Sequence, residues 1–147
     1  MAQIRIARAE LTKSAATVVI DAAGAYEADR GLTRFIRTFT FTTPGTFHIV
    51  DDIGADKSTT AQWYLHSDHP FTGGEHAWRT AADAKASLDV DIILPAAATA
   101  TSQPTNLQAP GRPGSITEGH VDQRGYELQL DSPAAQQHAF DVRLVVR

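Results

Sequence analysis

Three histidines between residues 66 and 76 form the densest group of potential metal ligands in the sequence. His66, His69 and His76 carry imidazole nitrogens, which Zn²⁺ accepts together with carboxylate oxygens. The spacing His66-x-x-His69 at a strand end is no recognised metal motif, and the residues between them are those that turns favour for backbone reasons. The pattern therefore favours a solvated loop, and a self-sufficient metal enzyme is the least favoured hypothesis.

The adjacent carboxylates Asp51 and Asp52 are the second group that could do chemistry. Two carboxylates serve as acid and base when their surroundings split their pKa values. Neighbouring strand residues point to opposite faces, so the two cannot act on one substrate atom. We expect one to pair with a sheet arginine and the other to begin a turn before Gly54. The sequence also lacks a nucleophile elbow and a phosphate-binding loop, so no catalytic residue is predicted.

Three aromatic residues, Trp63, Tyr64 and Trp78, are candidates for carbohydrate binding. Flat rings stack on the C–H faces of sugars, and polar neighbours then bind the hydroxyl groups. Trp63 and Tyr64 are adjacent, so one should point into the core and the other outward. Core packing is the alternative role for both tryptophans, because large aromatic side chains dominate core energetics.

Arg34 and Arg37 complete the set of candidate carbohydrate-binding residues. A guanidinium group binds a carboxylate through two parallel hydrogen bonds, so either arginine would suit a uronic acid. An internal ion pair with Asp51 or Asp52 explains the two arginines equally well.

The elements that must position these side chains are predicted to be strands. Residues 33–42 alternate, with phenylalanines on one face and mostly threonines on the other, which is typical of a half-buried strand. Pro44-Gly45 predicts a type II turn that leads into a returning strand at 47–53. Only residues 78–88 would also suit a helix. Further strands are predicted at 3–9, 17–22, 59–66, 75–81, 87–94, 115–121, 126–130 and 138–146.

Roughly ten short strands at ~8–12-residue spacing predict an all-β fold, an antiparallel β-sandwich. Residues 95–114 are rich in proline, alanine and threonine, and prolines are excluded from central strands. This segment is therefore predicted to be a long surface connection with at most one edge strand. No repeat or composition shift divides the chain, so residues 1–147 are expected to form a single domain.

Composition excludes several function classes. The chain has no cysteine, which excludes disulfides and thiolate chemistry, and its formal net charge of −4 argues against a nucleic-acid footprint. Charged residues interrupt the first twenty positions, so no signal peptide is predicted, and no apolar run is long enough for a membrane span. We expect a soluble protein without a cofactor.

Five segments follow one another in a characteristic order. They are the stretch 16–26 that ends in Tyr26, the arginine-bearing strand 34–41, the strand 47–53 with Val50-Asp51-Asp52, the tryptophan-to-histidine strand 62–67, and residues 86–90 followed by Pro95. In this order and spacing they resemble the C-terminal β-sheet region of heparinase II/III-like polysaccharide lyases. The resemblance is firmest over residues 16–95.

The resemblance implies a β domain of an enzyme that cleaves uronic-acid polysaccharides by β-elimination. In that family the catalytic tyrosine and histidine belong largely to a helical toroid earlier in the chain, and a metal site uses His-x-His and His-Asn motifs. This sequence contains neither motif, so no catalytic residue and no metal ligand is carried over. The chain is therefore not expected to be active in isolation.

Two hypotheses for the role of the chain remain open. The first is a domain that supports the upstream helical catalytic domain and lines one wall of the substrate cleft, exposing an apolar patch through which it can self-associate. The alternative is a stand-alone, non-catalytic carbohydrate-binding module. The expected partners are a polysaccharide or the helical catalytic domain, and the resemblance implies a periplasmic or extracellular location. Met1 is compatible with a fragment of a longer lyase or a separate reading frame.

Overall fold

The structure, a computed structural model, describes residues 4–26, 31–83, 86–106 and 124–147. These residues form nine strands and one short 3₁₀ turn at Ala23–Ala25. The strands are β1 Arg5–Leu11, β2 Ala15–Asp21, β3 Leu32–Thr42, β4 Thr46–Ser67, β5 Thr72–Gly74, β6 Ala77–Asp83, β7 Ala86–Leu94, β8 Thr99–Asn106 and β9 Arg124–Val146.

All nine strands belong to one continuous antiparallel sheet. Its order is β1-β2-β3-β4-β9-β7-β6-β5, and β8 pairs with β9 outside this path. The first four strands form a meander, and the sheet continues through the pairing of the two longest strands, β4 and β9. The order therefore brings the last strand of the chain to the centre of the sheet.

The two long strands pass through both layers of a sandwich. Their register runs from Thr46↔Val145 to Ser67↔Tyr126 and shifts between Gly54 and Ala61. Before this shift, β4 pairs with the end of β9 between β3 and β7, which forms a long layer. After it, β4 pairs with the start of β9 beside β8, which forms a short layer.

The hydrophobic core lies between the two layers. The long layer contributes fully buried side chains that alternate along its strands, as half-buried strands do. The short layer contributes side chains of the same kind from the other side. The core consists of Val90, Ile92, Phe140, Val142 and Leu144 from the long layer, of Trp63, Leu128 and Leu130 from the short layer, and of Phe71. The predicted all-β sandwich is confirmed.

The predicted strands agree with the structure, with one systematic difference. The segments 47–53 and 59–66 are parts of the single strand β4, and 126–130 and 138–146 are parts of β9. Of the segment 78–88, the described residues 78–83 and 86–88 lie on β6 and β7 and not on a helix. The predicted strand at 115–121 lies outside the described residues.

The segment 95–114 contains the edge strand that its prolines allowed. β8 pairs only with β9 among the described strands, and Pro104 lies within β8. A proline lacks the N–H that a second neighbouring strand would need, which is why an edge position accepts it. Residues 107–114 of the predicted connection lie outside the described part of the chain.

The prediction of a type II turn at Pro44-Gly45 is wrong. The Thr43–Pro44 peptide bond is cis, and Gly45 does not have the positive φ that a type II turn requires. Gly45 instead lies close to the last strand, since a Cβ atom there would lie 3.3 Å from Cβ of Val146, a tight contact. The end of β9 approaches this turn closely, and the Val146 N–H donates to the Gly45 carbonyl.

Candidate functional site

A cavity of about 640 Å³ opens where β3 meets the bend of β4. Its wall combines aromatic rings, one arginine, one carboxylate and several hydroxyl groups. Such a mixture of apolar surface and a few polar groups is typical of a ligand-binding site. The lining residues are Tyr26, Leu32, Phe35, Arg37, Asp51, Ile53, Thr59, Thr60, Ala61, Gln62, Trp63, Tyr64 and His138.

The register of β3 and β4 places Arg37 opposite Asp51 on the inner face of the long layer. The Arg37 Nε–H donates to Asp51 Oδ1 at 2.6 Å, and Nη2 donates to Oδ2 at 2.5 Å. The Asp51 side chain is only 1% exposed, whereas that of Arg37 is 31% exposed at the cavity. The hydrogen bond to Asp51 raises the pKa of Arg37, and burial opposes this rise.

The guanidinium of Arg37 keeps part of its donor capacity for a ligand. Asp51 occupies Nε–H and one N–H of Nη2, which leaves three of the five donors. The group also lies over the rings of Phe35 and Phe39, at 5.3 and 5.8 Å from their centroids. Asp51 and the two rings therefore hold the guanidinium in place, and its remaining N–H donors suit acceptors such as carboxylate or hydroxyl oxygens.

His138 lies in the cavity wall, but both of its ring nitrogens are occupied. Nε2 donates to the Ala135 carbonyl at 3.1 Å, so Nδ1 accepts from the Ser132 hydroxyl at 3.0 Å. This assignment of the tautomer follows from the partners, since a carbonyl oxygen only accepts. His138 therefore stabilises the bend of β9 and is not positioned to move a proton in the cavity.

The predicted ion pairs form, and both aspartates take part. Asp51 pairs with Arg37 and Asp52 with Arg34, on opposite faces of the same two strands. The prediction that one aspartate begins a turn before Gly54 is wrong. β4 continues through Gly54, because both carboxylates are satisfied across the sheet and the chain bends further on.

The structure separates the candidate carbohydrate-binding aromatics. Trp63 is buried in the core with one edge at the cavity, and Tyr64 points outward, as the alternation predicts. Tyr64 stacks on His66 with centroids 6.3 Å apart. Trp78 packs against the core from β6, and its indole N–H donates to the Glu75 carbonyl. Of the predicted set, Trp63, Tyr64 and Arg37 meet at the cavity, whereas Trp78 and Arg34 do not.

The three candidate metal ligands are used separately. His66 lies 3.6 Å from a Glu127 oxygen, the backbone N–H of His69 donates to Ser67, and the backbone carbonyl of His76 accepts from Ile92. In the part of the chain that the structure describes, no three histidine, cysteine or carboxylate side chains are placed to hold a metal ion.

Sequence reasoning did not identify Tyr26 and His138 as residues of a site. Tyr26 follows the 3₁₀ turn after β2 and packs on Phe35 with ring centroids 5.7 Å apart. No motif marks either residue, and they lie more than a hundred positions apart. The one signal for Tyr26 in the sequence is its place at the end of the segment 16–26 on which the family resemblance rests.

The inner face of β1, β2 and β3 carries apolar side chains that the short layer does not cover. We call this surface the open face and define it by Ile6, Leu11, Phe39, Phe41 and Phe47 with the β2 side chains between them. Leu11 is 80% and Ile6 65% exposed. The open face adjoins the cavity, because Phe39 lies under the guanidinium of Arg37.

No protein-family model and no curated protein matches the sequence. Solved structures do match it by fold. The heparan sulfate lyase HepC from Pedobacter heparinus superposes with a TM-score of 0.74 at 11% identity, over 98% of this chain and 22% of that chain. The heparinase III BT4657 gene product gives 0.73 at 10%, over 98% and 21%. A further heparinase III gives 0.68 at 14%, over 97% and 21%.

This chain shares its fold with a β region of heparinase III-type lyases. The likeness extends over nearly all of the chain, whereas the chain spans only about a fifth of the length of those enzymes. None of the described segments is a helix with the length and hydrophobicity that crossing a bilayer requires.

Proposed function

We propose that this chain is the non-catalytic β domain of a heparinase II/III-like polysaccharide lyase, supporting a helical catalytic body and lining its substrate cleft. The open face carries this proposal. A sheet surface with several exposed apolar side chains costs free energy in water and marks a surface that another body covers. The solved lyases, whose chains are about five times longer, contain the additional mass that such a body requires.

The composition of the open face supports packing against protein. Its apolar side chains follow one another across neighbouring strands, because the register aligns Leu11 with Ala16, Ala16 with Phe41, and Phe41 with Phe47. The rings of Phe41 and Phe47 contact each other, with centroids 4.8 Å apart and planes tilted by 40°. A surface of apolar side chains, with the Arg37 guanidinium only at its border with the cavity, suits the side of a helical body better than it suits a hydrated glycan.

The position of the cavity supports the second part of the proposal. The cavity lies beside the open face, so a body that covers the open face would also border the cavity. Arg37 would then direct its remaining N–H donors toward a glycan in the cleft. Asp51 is paired with Arg37, and both ring nitrogens of His138 are engaged, so neither is free to abstract a proton. We therefore assign the reaction itself to the helical body.

The alternative role, a stand-alone carbohydrate-binding module, is favoured by the cavity alone. An arginine, a tyrosine and the edge of a tryptophan in one concave site are sufficient to bind a sugar without a second domain. This alternative leaves the open face unexplained, which is why we rank it second.

Association behaviour of the purified chain tests the proposal. We expect it to self-associate and to bind a hydrophobic dye, as measured by sedimentation and fluorescence over a range of concentrations. The double variant Leu11→Ser/Phe39→Ser should be monomeric and bind less dye. A matched control, Thr38→Ser, changes the opposite face of the same strand and should behave like the unaltered chain.

Two outcomes would contradict the proposal. One is a monomer that binds no dye and is unaffected by the double variant, which would favour the binding-module alternative. The other is the formation of unsaturated uronide by the purified chain alone, followed by ultraviolet absorbance with a panel of uronate glycans. Such a product would place catalysis within these residues.

A further inference from the structure

A row of alternating charges crosses the outer face of β6, β7 and β9, on the side of the long layer away from the core. We call it the arginine ladder and define it as Arg79, Arg143, Arg147, Asp89 and Asp91. The register places Arg79 opposite Asp89 and Asp91 opposite Arg143. These residues line an open depression of about 530 Å³. The depression lies on the opposite side of the sheet from the cavity at Arg37.

Asp89 holds two guanidinium groups at once. The Arg79 Nε–H donates to Asp89 Oδ1 at 2.5 Å, and the Arg147 Nε–H donates to Oδ2. The hydrogen bonds from Arg79 and Arg147 lower the pKa of Asp89 to about 2. Asp89 is therefore ionised at neutral pH, and it orients two arginine side chains that would otherwise move freely.

The ladder keeps most of its donor groups available. Arg79 and Arg147 contact Asp89 through Nε, and within the described residues their Nη groups have no partner. Arg143 uses Nε and Nη2 toward Asp91. The side chains of Arg79, Arg143 and Arg147 are 55%, 53% and 64% exposed. Planar Nη edges of this kind match the oxygen pairs of carboxylate and sulfate groups.

The charge of the ladder favours an anion. Three arginines against two aspartates leave an excess of one positive charge, in a chain whose formal net charge is −4. One excess charge is too small for a nucleic-acid footprint, which neutralises several phosphates at once. Together with the orientation of the guanidinium groups by Asp89 and Asp91, it favours an anionic sugar over a neutral one.

We infer that the arginine ladder is a binding site for an anionic glycan, which it holds at carboxylate or sulfate groups outside the cavity. The site extends the contact between this domain and a charged polysaccharide to its outer surface. The choice of a glycan as the ligand rests on the proposed function, whereas the preference for an anion rests on the ladder alone.

Fluorescence polarisation with three labelled polysaccharides tests the inference on the full chain. Polyglucuronate carries carboxylate only, dextran sulfate carries sulfate only, and dextran is neutral. We expect at least one of the two anionic probes to bind at least about tenfold more tightly than dextran, and salt to weaken this binding. Comparison of the two anionic probes identifies the group that the ladder prefers.

Two triple variants with the same change of net charge separate the ladder from bulk electrostatics. Arg79→Gln/Arg143→Gln/Arg147→Gln should reduce binding of the preferred probe about tenfold or more. Arg5→Gln/Arg8→Gln/Lys57→Gln removes three exposed positive charges elsewhere and should leave binding nearly unchanged. The single variant Arg143→Gln leaves only the half-exposed Asp91 unpaired, so it should fold and still lose several-fold in affinity.

Three results would overturn the inference. They are equal losses in the two triple variants, binding of dextran as tight as that of both anionic probes, and binding of single-stranded DNA as tight as that of the preferred glycan. None of them concerns the open face, so the dye and sedimentation measurements test the proposed function separately.

Discussion

The inner face of the long layer has two regions that share the same alternation of apolar side chains but differ in how far those side chains are buried. Between β9 and β7 the inward side chains, such as Phe140 and Val142, are fully buried against the short layer. On β1 to β3 several inward side chains, such as Leu11 and Phe39, are exposed, and those of β2 are only partly buried. Both regions show the same alternation. The difference arises because β4 and β9 bend back over only one of them, so alternation identifies the apolar face but not what covers it.

The largest expected difference between the two regions is in stability. Phe140→Ala should lower the free energy of unfolding by about 4 kcal/mol, because it removes a fully buried ring and leaves a cavity. Leu11→Ala should change it by less than about 0.5 kcal/mol, since the side chain is already in water. Chemical denaturation at low protein concentration measures both. A large and concentration-dependent loss for Leu11→Ala would show that a second copy covers the open face.

A comparison of two arginines on one strand should give the next largest effect. Arg37→Gln should cost about 3 kcal/mol, because it leaves the buried Asp51 carboxylate without its ion-pair partner. Arg34→Gln should cost less than about 1 kcal/mol, because its pair with Asp52 is exposed on both sides. Urea unfolding of the two variants checks this order. An equal loss in the free energy of unfolding for both variants would mean that water reaches the Asp51 carboxylate through the cavity.

The smallest of the three expected effects is a loss of stability in acid, which arises from Asp89 on the outer face of the long layer. The folded-state pKa of Asp89 is depressed to about 2 from 3.8, so its contribution to stability is present above pH ~4 and disappears as the pH falls toward 2. Thermal melting between pH 5 and pH 2 should show this loss. The variant Asp89→Asn should reduce the slope over this window. An unchanged slope would indicate that solvent screens the ladder almost completely.

Much of the fold follows from local patterns in the sequence. The alternation of residues 33–42 located β3 to within one residue at its start, and the charged alternation of Asp89 and Asp91 located β7. The local pattern did not show that β4 and β9 are each one continuous strand. The polar residues near their bends resemble turn residues when the strands that pair with them are unknown. The prediction of a type II turn at Pro44-Gly45 is wrong because Gly45 does not have a positive φ, and the local sequence does not show that Val146 packs close to Gly45 from the other end of the chain.

The candidate sites were predictable only in part. The ion pairs of Arg34 and Arg37 with Asp52 and Asp51 follow from strand pairing, and the opposite orientations of Trp63 and Tyr64 follow from the period of two. The meeting of Tyr26, Arg37 and His138 around one cavity depends on contacts between distant segments, which no local spacing encodes. The arginine ladder needs the register of β6, β7 and β9, because Arg147 reaches Asp89 only when the last strand lies beside β7.

By itself, the sequence determined that this chain forms antiparallel strands, which side of each strand is apolar, and that disulfides and thiolate chemistry are excluded. These properties depend on residue type and on the short period of a strand, so they are local. The tertiary structure alone decided which apolar face is covered, where a cavity opens and which charges meet. These depend on the bend of β4 and β9, whose position is set by packing between residues far apart in the chain.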